Sequence, residues 1–272
     1  MQPLVWDADP EIVNLFGRIS LRYYSLLFAG GLILGYQITR RFFLKEGYTP
    51  EHIDKLALYI FIATILGARL GHCLFYEPGY YLNHPFEMLL PFSFQGGFHF
   101  TGYRGLASHG GIFGVFLAIM IFCWQTKHKF FSVLDKVAVG GSFTAVFIRL
   151  GNFMNSEIIG KPTGGGYGVI FKKVDDIARH PAQLYESLAY LLIFILLLYL
   201  YKYQRERFRE GFIFGLFFTL LFISRFLIEF FKENQVSFED SLTYNMGQLL
   251  SIPFIIGGIA VMIWKWNKGK KE

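Results

Sequence analysis

The segment Arg149-Leu150-Gly151-Asn152-Phe153-Met154-Asn155-Ser156-Glu157-Ile158-Ile159-Gly160 begins where a long apolar run ends. It places one guanidinium at the edge of that run, followed by three amide or carboxylate side chains within eight residues. An ionisable group at membrane depth is costly, so it faces protein or water and marks function by default. Arg69, His109 and Arg225 stand in other apolar stretches of the chain. If all four reach one membrane surface, they define a site built between helices.

Working outward, the composition supports a membrane setting. Of 272 residues 53% are hydrophobic and 17% charged, and 32 Phe with 16 Tyr suit lipid contact and interfacial belts. The net charge of +6 does not point to nucleic acid, because the basic residues flank the apolar runs as loop charges do at a membrane. Cys73 and Cys123 fall near opposite ends of their spans and are read as buried, unbridged packing residues. Residues 1–11 carry Asp7, Asp9 and Glu11 and lack a basic leader, so the first apolar run is read as a retained span.

Runs near the roughly 20 residues that cross a bilayer occur at about 21–39, 56–76, 108–124, 133–151, 186–203, 211–230 and 246–266. The expected fold is therefore all-α, with seven transmembrane helices in a single domain over residues 1–272. The fourth run is interrupted by Gly140-Gly141 and Thr144 and is the weakest of the seven. Lys and Arg are denser in one alternate set of connections (Arg40, Arg41, Lys45, Lys55; Lys127, Lys129, Lys136; Lys202, Arg205, Arg207, Arg209; and the C-terminal tail) than in the other. That asymmetry predicts an outside N-terminus and a cytoplasmic C-terminus. It puts the long Gly- and aromatic-rich connections 77–107 and 152–185 outside, including Gln95-Gly96-Gly97-Phe98 and Gly164-Gly165-Gly166-Tyr167.

With that orientation, Tyr24, Arg69, His109, Arg149, His180, Gln183, Glu186, Arg225 and Glu229 all lie toward the outer ends of their helices. Each has a bland reading. Arg225 and Glu229 have the i,i+4 spacing of a structural ion pair. His180, before Pro181, suits a helix cap, and Arg69 suits snorkelling. Tyr24 and Tyr76 suit an aromatic belt. His109 sits in Ser108-His109-Gly110-Gly111, where the glycines permit close approach of a chain or a lipid; a satisfied core histidine is the alternative. Read together, several arginines at one level ask for an anion, and the fork of a guanidinium matches phosphate. A neutral histidine beside such a site can take a proton, and arginine can stabilise charge on a departing phosphate ester. The set describes transfer of a lipid fragment away from phosphate. No metal cluster, Ser-His-Asp set or phosphate-binding P-loop is evident, and no cofactor is expected.

Here the sequence resembles the bacterial prolipoprotein diacylglyceryl transferases. Their signature, Gly-Arg-x-Gly-Asn-Phe-x-Asn-x-Glu-x-x-Gly, is matched from Arg149 to Gly160, with Ile148 where the pattern has glycine. Further matches are Ser108-His109-Gly110-Gly111, Arg179-His180-Pro181-Ala182-Gln183-Leu184-Tyr185-Glu186, Arg225 with Glu229-Phe230-Phe231, and Met246-Gly247-Gln248-Leu249-Leu250-Ser251-Ile252-Pro253. The resemblance runs from Tyr24 to about Pro253. It implies transfer of the sn-1,2-diacylglyceryl group of phosphatidylglycerol to the lipobox cysteine of a prolipoprotein, giving a thioether and glycerol phosphate.

Carried over by motif, Arg149 and Arg225 hold the headgroup phosphate, His109 is the candidate base, and Tyr24, Asn152, Glu157, Gly160 and Glu229 shape the site. Arg69, Asn155, His180 and Glu186 complete the expected lipid-binding set. The expected setting is the bacterial inner membrane, with the site toward the outer leaflet. The expected partners are phosphatidylglycerol and prolipoprotein lipobox segments, with no nucleic acid, and the chain is expected to work as a monomer. An anion transporter would be expected to show inverted repeats and a midplane site, and neither is visible. A lipid-binding scaffold without chemistry would leave His109 no proton to take.

Overall fold

The computed structural model describes residues 2–15, 19–90, 92–93, 99–100, 105–233 and 244–266. The loop signature Gln95-Gly96-Gly97-Phe98 lies outside the described residues. The elements run β1 (Leu4–Trp6), β2 (Glu11–Leu15), β3 (Ile19–Arg22), α1 (Tyr23–Lys45), α2 (Pro50–Phe75), α3 (Pro78–Tyr81) and α4 (Pro85–Leu89). They continue as β4 (Phe92–Ser93), β5 (His99–Phe100), α5 (Ser108–Thr126), α6 (Phe130–Met154), β6 (Val169–Phe171), β7 (Ala178–Arg179), α7 (Ala182–Tyr199), α8 (Phe212–Glu229) and α9 (Met246–Trp264). The molecule is mostly helical. Six helices among the described residues are long and apolar enough to cross a membrane: Pro50–Phe75, His109–Thr126, Phe130–Met154, Ala182–Arg207, Phe212–Glu229 and Met246–Trp264. The first expected span falls on α1, whose 23 residues include Gly30, Gly31, Gly35 and Gln37 and are less apolar.

The chain divides into two compact units, Met1–Arg41 with Leu134–Glu272, and Phe42–Val133. In the first, the glycines and Thr144 that weaken the fourth apolar run do not interrupt a helix. α6 is continuous from Phe130 to Met154, with Ile148 partly buried within it. Gly140 meets Gly35 of α1 so closely that a Cβ on Gly35 would lie 2.7 Å from the Gly140 carbonyl oxygen. The Thr144 hydroxyl donates to Gly31 O at 3.0 Å and to Gly140 O at 3.2 Å. These small and hydroxyl-bearing residues are the crossing point of two helices, a role they take where lipid offers no hydrophobic drive to association. Gly215 of α8 and Gly258 of α9 do the same.

In the same unit, the carboxylate of Asp135 accepts the backbone N–H groups of Gly211 at 2.7 Å and Phe214 at 2.8 Å. It serves donors at the start of α8, whose Gly211 cap has no side chain to offer. Its neighbour Lys136, counted from sequence among the connection charges, is instead fully buried inside α6.

The connection after α6 is not a bare loop, and here the all-α expectation gives way. β6 pairs in parallel with β1, matching Trp6 to Phe171, and antiparallel with β7. Phe153, Val169 and Phe171 form a small core with Trp6, Met154, Ile159 and Leu184 against it. Apolar residues in a connection can bury themselves only by pairing their backbone groups, and a strand supplies that. α9 opens with a capping box: Asn245 accepts from the Gln248 N–H, and the Gln248 side chain returns the bond.

The second unit is built on α2 and α5. Gly67 and Gly71 of α2 pack on Gly110 of α5, and a Cβ on Gly71 would stand 2.9 Å from the Gly110 Cα. The glycine after His109 thus accommodates a neighbouring helix. α2 starts at Pro50 behind a Thr49 cap. Cys73 and Cys123 are both buried and are not joined in a disulfide.

Candidate active site

In the first unit the end of α6 meets the start of α7 and the end of α8 through charge. Arg149 has a side chain 13% exposed, and its Nε lies 2.9 Å from Glu186 Oε2. No N–H is aimed at that oxygen, so the contact is an ion pair without an aligned hydrogen bond. Its Nη1 donates to Asn152 Oδ1 at 3.2 Å, and the guanidinium lies 5.9 Å from the Tyr190 ring centre. Glu186 is wholly buried and its other oxygen takes Lys232 Nζ at 2.8 Å. Lys232 also donates to Glu229 Oε2 at 3.0 Å, and Asn245 Nδ2 reaches Glu229 Oε1 at 3.4 Å. The result is one chain of alternating charge, Arg149–Glu186–Lys232–Glu229, drawn from three helix ends. Buried ions persist only when paired in this way.

The bland alternative for Arg225 and Glu229, an i,i+4 ion pair, is not what forms: Glu229 takes Lys232, three residues on. Arg225 acts electrostatically on the Tyr190 phenol and makes no ion pair among the described residues.

The signature segment beyond Arg149 turns sharply. Ser156 and Ile158 both have positive φ, 55° and 56°. A β-branched residue there is strained, and such strain gathers at functional sites. The turn throws out Glu157, whose carboxylate accepts from Asn152 Nδ2 at 3.3 Å and Asn155 Nδ2 at 3.0 Å, while Gln183 donates to its carbonyl. Gly160 then pairs with His180 O through its N–H at 3.0 Å. A Cβ on Gly160 would come within 2.7 Å of Phe231 O, so no other residue fits between the two chains. Lys161 donates its N–H to Phe231 O at 2.8 Å, which ties the segment to the end of α8.

His180 does not cap α7. Its Nδ1 lies 3.2 Å from the Tyr185 hydroxyl, with Phe231 against its ring. The Tyr24 ring lies over Gly151, where a Cβ would meet it at 2.7 Å. Outside the helices, Asp175 binds the Arg179 guanidinium, which holds that carboxyl below its ordinary range and fixes the connection leading to His180. Tyr24, Arg149, Asn152, Asn155, Glu157, Gly160, His180, Glu186, Arg225 and Glu229 thus all belong to this unit.

Arg69 and His109 belong to the second unit. Arg69 is 3% exposed. It donates from Nε to Met88 O at 3.2 Å and from Nη2 to Glu87 O at 2.7 Å, with the guanidinium 4.8 Å from the Tyr81 ring centre. Rather than snorkelling, it holds α4 through its carbonyls. His109, at the start of α5, is exposed. It lines a cavity of about 1080 Å³ between α2 and α5, with Leu66, Leu70, Leu74, Phe75 and Phe113 among the walls.

Sequence reasoning missed Lys232 as a site residue and Tyr190 altogether. The Glu229–Lys232 spacing of three was a usable signal. Nothing local marks Tyr190, which sits in a uniformly apolar stretch.

A family model described as prolipoprotein diacylglyceryl transferase matches residues 10–264. The chain is 49% identical over 265 residues to the phosphatidylglycerol–prolipoprotein diacylglyceryl transferase of Bacteroides fragilis, covering 97% of this chain and 95% of that one. It is 48% identical over 261 residues to the enzyme of that name from Tolumonas auensis, covering 96% of each. It is 35% identical over 272 residues to that from Nitrosomonas europaea, covering 97% and 92%. Taken with the charged cluster at the ends of its apolar helices, these matches make the chain a member of the prolipoprotein diacylglyceryl transferase family.

Proposed function

We propose that this protein transfers the sn-1,2-diacylglyceryl group of phosphatidylglycerol to the lipobox cysteine thiol of a prolipoprotein. In the step, sulfur forms a bond to the glycerol carbon that carries the phosphate ester. The carbon–oxygen bond breaks, and glycerol phosphate leaves with the electron pair. The observation that carries this reading is the buried chain Arg149–Glu186–Lys232–Glu229 with Arg225 open beside it. Arg225 binds the phosphate and Arg149, its Nε and Nη1 already engaged, offers its remaining N–H groups. Both stabilise the leaving oxygen. Tyr24, Asn152, Asn155, Glu157, Gly160, His180, Glu186 and Glu229 set the shape and charge around them.

His109, assigned by its motif, removes the thiol proton. The apolar cavity beside it suits an acyl chain. Arg69 contributes at one remove, through the α4 carbonyls that it holds. The chain acts as one monomeric domain with seven spans in the bacterial inner membrane. Its N-terminus and site face outward and its C-terminus is cytoplasmic, with no role for nucleic acid. The Lys and Arg asymmetry of the connections motivates that orientation.

The deciding experiment incubates purified protein with phosphatidylglycerol and a lipobox peptide. Added diacylglyceryl mass on the cysteine is expected, and an unchanged peptide would sink the enzymatic reading. Impermeant thiol labelling of Gln2→Cys and Lys268→Cys in spheroplasts should mark only the first, and labelling of the second would invert the topology.

A further inference from the structure

We infer that Lys232 is a positioning residue that sets the charge of the phosphate site, an inference resting on the transferase reading above. Lys232 follows α8 and bridges through its backbone to Gly160 of the signature segment. Its side chain is 2% exposed, 2.8 Å from Glu186 and 3.0 Å from Glu229. Two carboxylates from different helices converge on one ammonium, and Glu186 extends its second oxygen to Arg149 Nε at 2.9 Å. Lys232 therefore acts on Arg149 through Glu186, without touching it.

The charges in this cluster can be counted. Arg149, Arg225 and Lys232 are three cations against two anions, Glu186 and Glu229, a surplus of one positive charge. A phosphodiester carries one negative charge, so the occupied cluster is neutral. Without Lys232 the empty cluster is neutral already, and the carboxylates repel the incoming phosphate. Outside these five groups, the Glu157 carboxylate, bound by two amides, and Arg179 with Asp175 and Glu233 carry charge of their own. That charge is the same in every variant below, so the comparison between variants reads only the change of one unit within the cluster.

A structural role and a charge-setting role part company in a compensating variant. Full-length detergent-purified Lys232→Met should bind phosphatidylglycerol about tenfold or more weakly, the scale for one unit charge a few ångströms off in a partly shielded site. The loss should fall mainly on KM for the lipid, with kcat less affected. Lys232→Met/Glu229→Gln restores the surplus of one without restoring the ammonium, and should recover most of the lipid affinity. Lys232→Arg should stay near wild type.

A double variant that melts as a folded protein yet binds no better than Lys232→Met would overturn the inference. So would Lys232→Met binding at full strength. Should Lys232→Met not fold, the double variant against Lys232→Arg decides in the same way: comparable affinities support the inference and a weak double variant overturns it. Wild type that binds phosphatidylglycerol no better than phosphatidylcholine would instead remove the transferase reading, and this inference with it.

Discussion

Arg69 and Arg149 stand in comparable places, about a turn and a half before the end of a long apolar helix, yet they are used differently. Arg69 is directed at backbone: its guanidinium serves the carbonyls of Glu87 and Met88 and holds a short helix in place. Arg149 is directed at side chains: Glu186 and Asn152 hold two of its nitrogens, and the carboxylate is shared with Lys232. Carbonyl partners tie Arg69 to the backbone of one short helix, whereas Arg149 is tied to side chains of two helices and, through Glu186, to Lys232. Both arginines lie deep in apolar helices, and their partners set them apart.

The sharpest way to break this comparison is Arg149→Ala, which should take transfer to the assay background, with Arg149→Lys recovering little because an ammonium lacks the planar fork. Wild-type activity in Arg149→Lys would show that the fork is not used. Next in size is His109→Gln. Loss of general-base help should lower turnover about 10²–10⁴-fold while lipid binding survives. A thiol of greater acidity in the peptide should partly rescue it. Equal loss of lipid binding in His109→Gln and Arg225→Ala would remove the general-base role.

The smallest effect is expected at Arg69. Arg69→Met should leave lipid affinity within a fewfold of wild type, but strand the Glu87 and Met88 carbonyls at about 1–3 kcal/mol for a group left unsatisfied. Protease cleavage within residues 77–90 should quicken accordingly. Affinity lost as fully as in Arg225→Ala would erase the distinction between the two arginines.

Identity and spacing alone singled out Arg149, Asn152, Glu157, Glu186 and Glu229, which the fold gathers at the ends of α6, α7 and α8. What misled was local reasoning applied to long-range packing. Gly140 and Thr144 looked like a break in a span because helix propensity and hydropathy both fall there; in the fold they are where α1 crosses. Arg225 and Glu229 looked like partners because four residues make one helical face, yet Lys232 offered Glu229 a buried ammonium. The strands of the 155–181 connection were not foreseen: β6 pairs with β7 nearby but also with Leu4–Trp6, far away in the chain.

By itself the sequence determined the helical membrane character of the chain and the identity of its charged residues. Run length against bilayer thickness, and the cost of an ion in hydrocarbon, are properties of short stretches. The tertiary structure alone decided which ions meet. Lys232 and Glu186 are 46 residues apart, and their contact exists only because the ends of α7 and α8 and the Gly160 bridge bring them together. An isolated buried charge is unstable wherever the sequence puts it, so each of these groups takes the counter-charge that packing brings within reach.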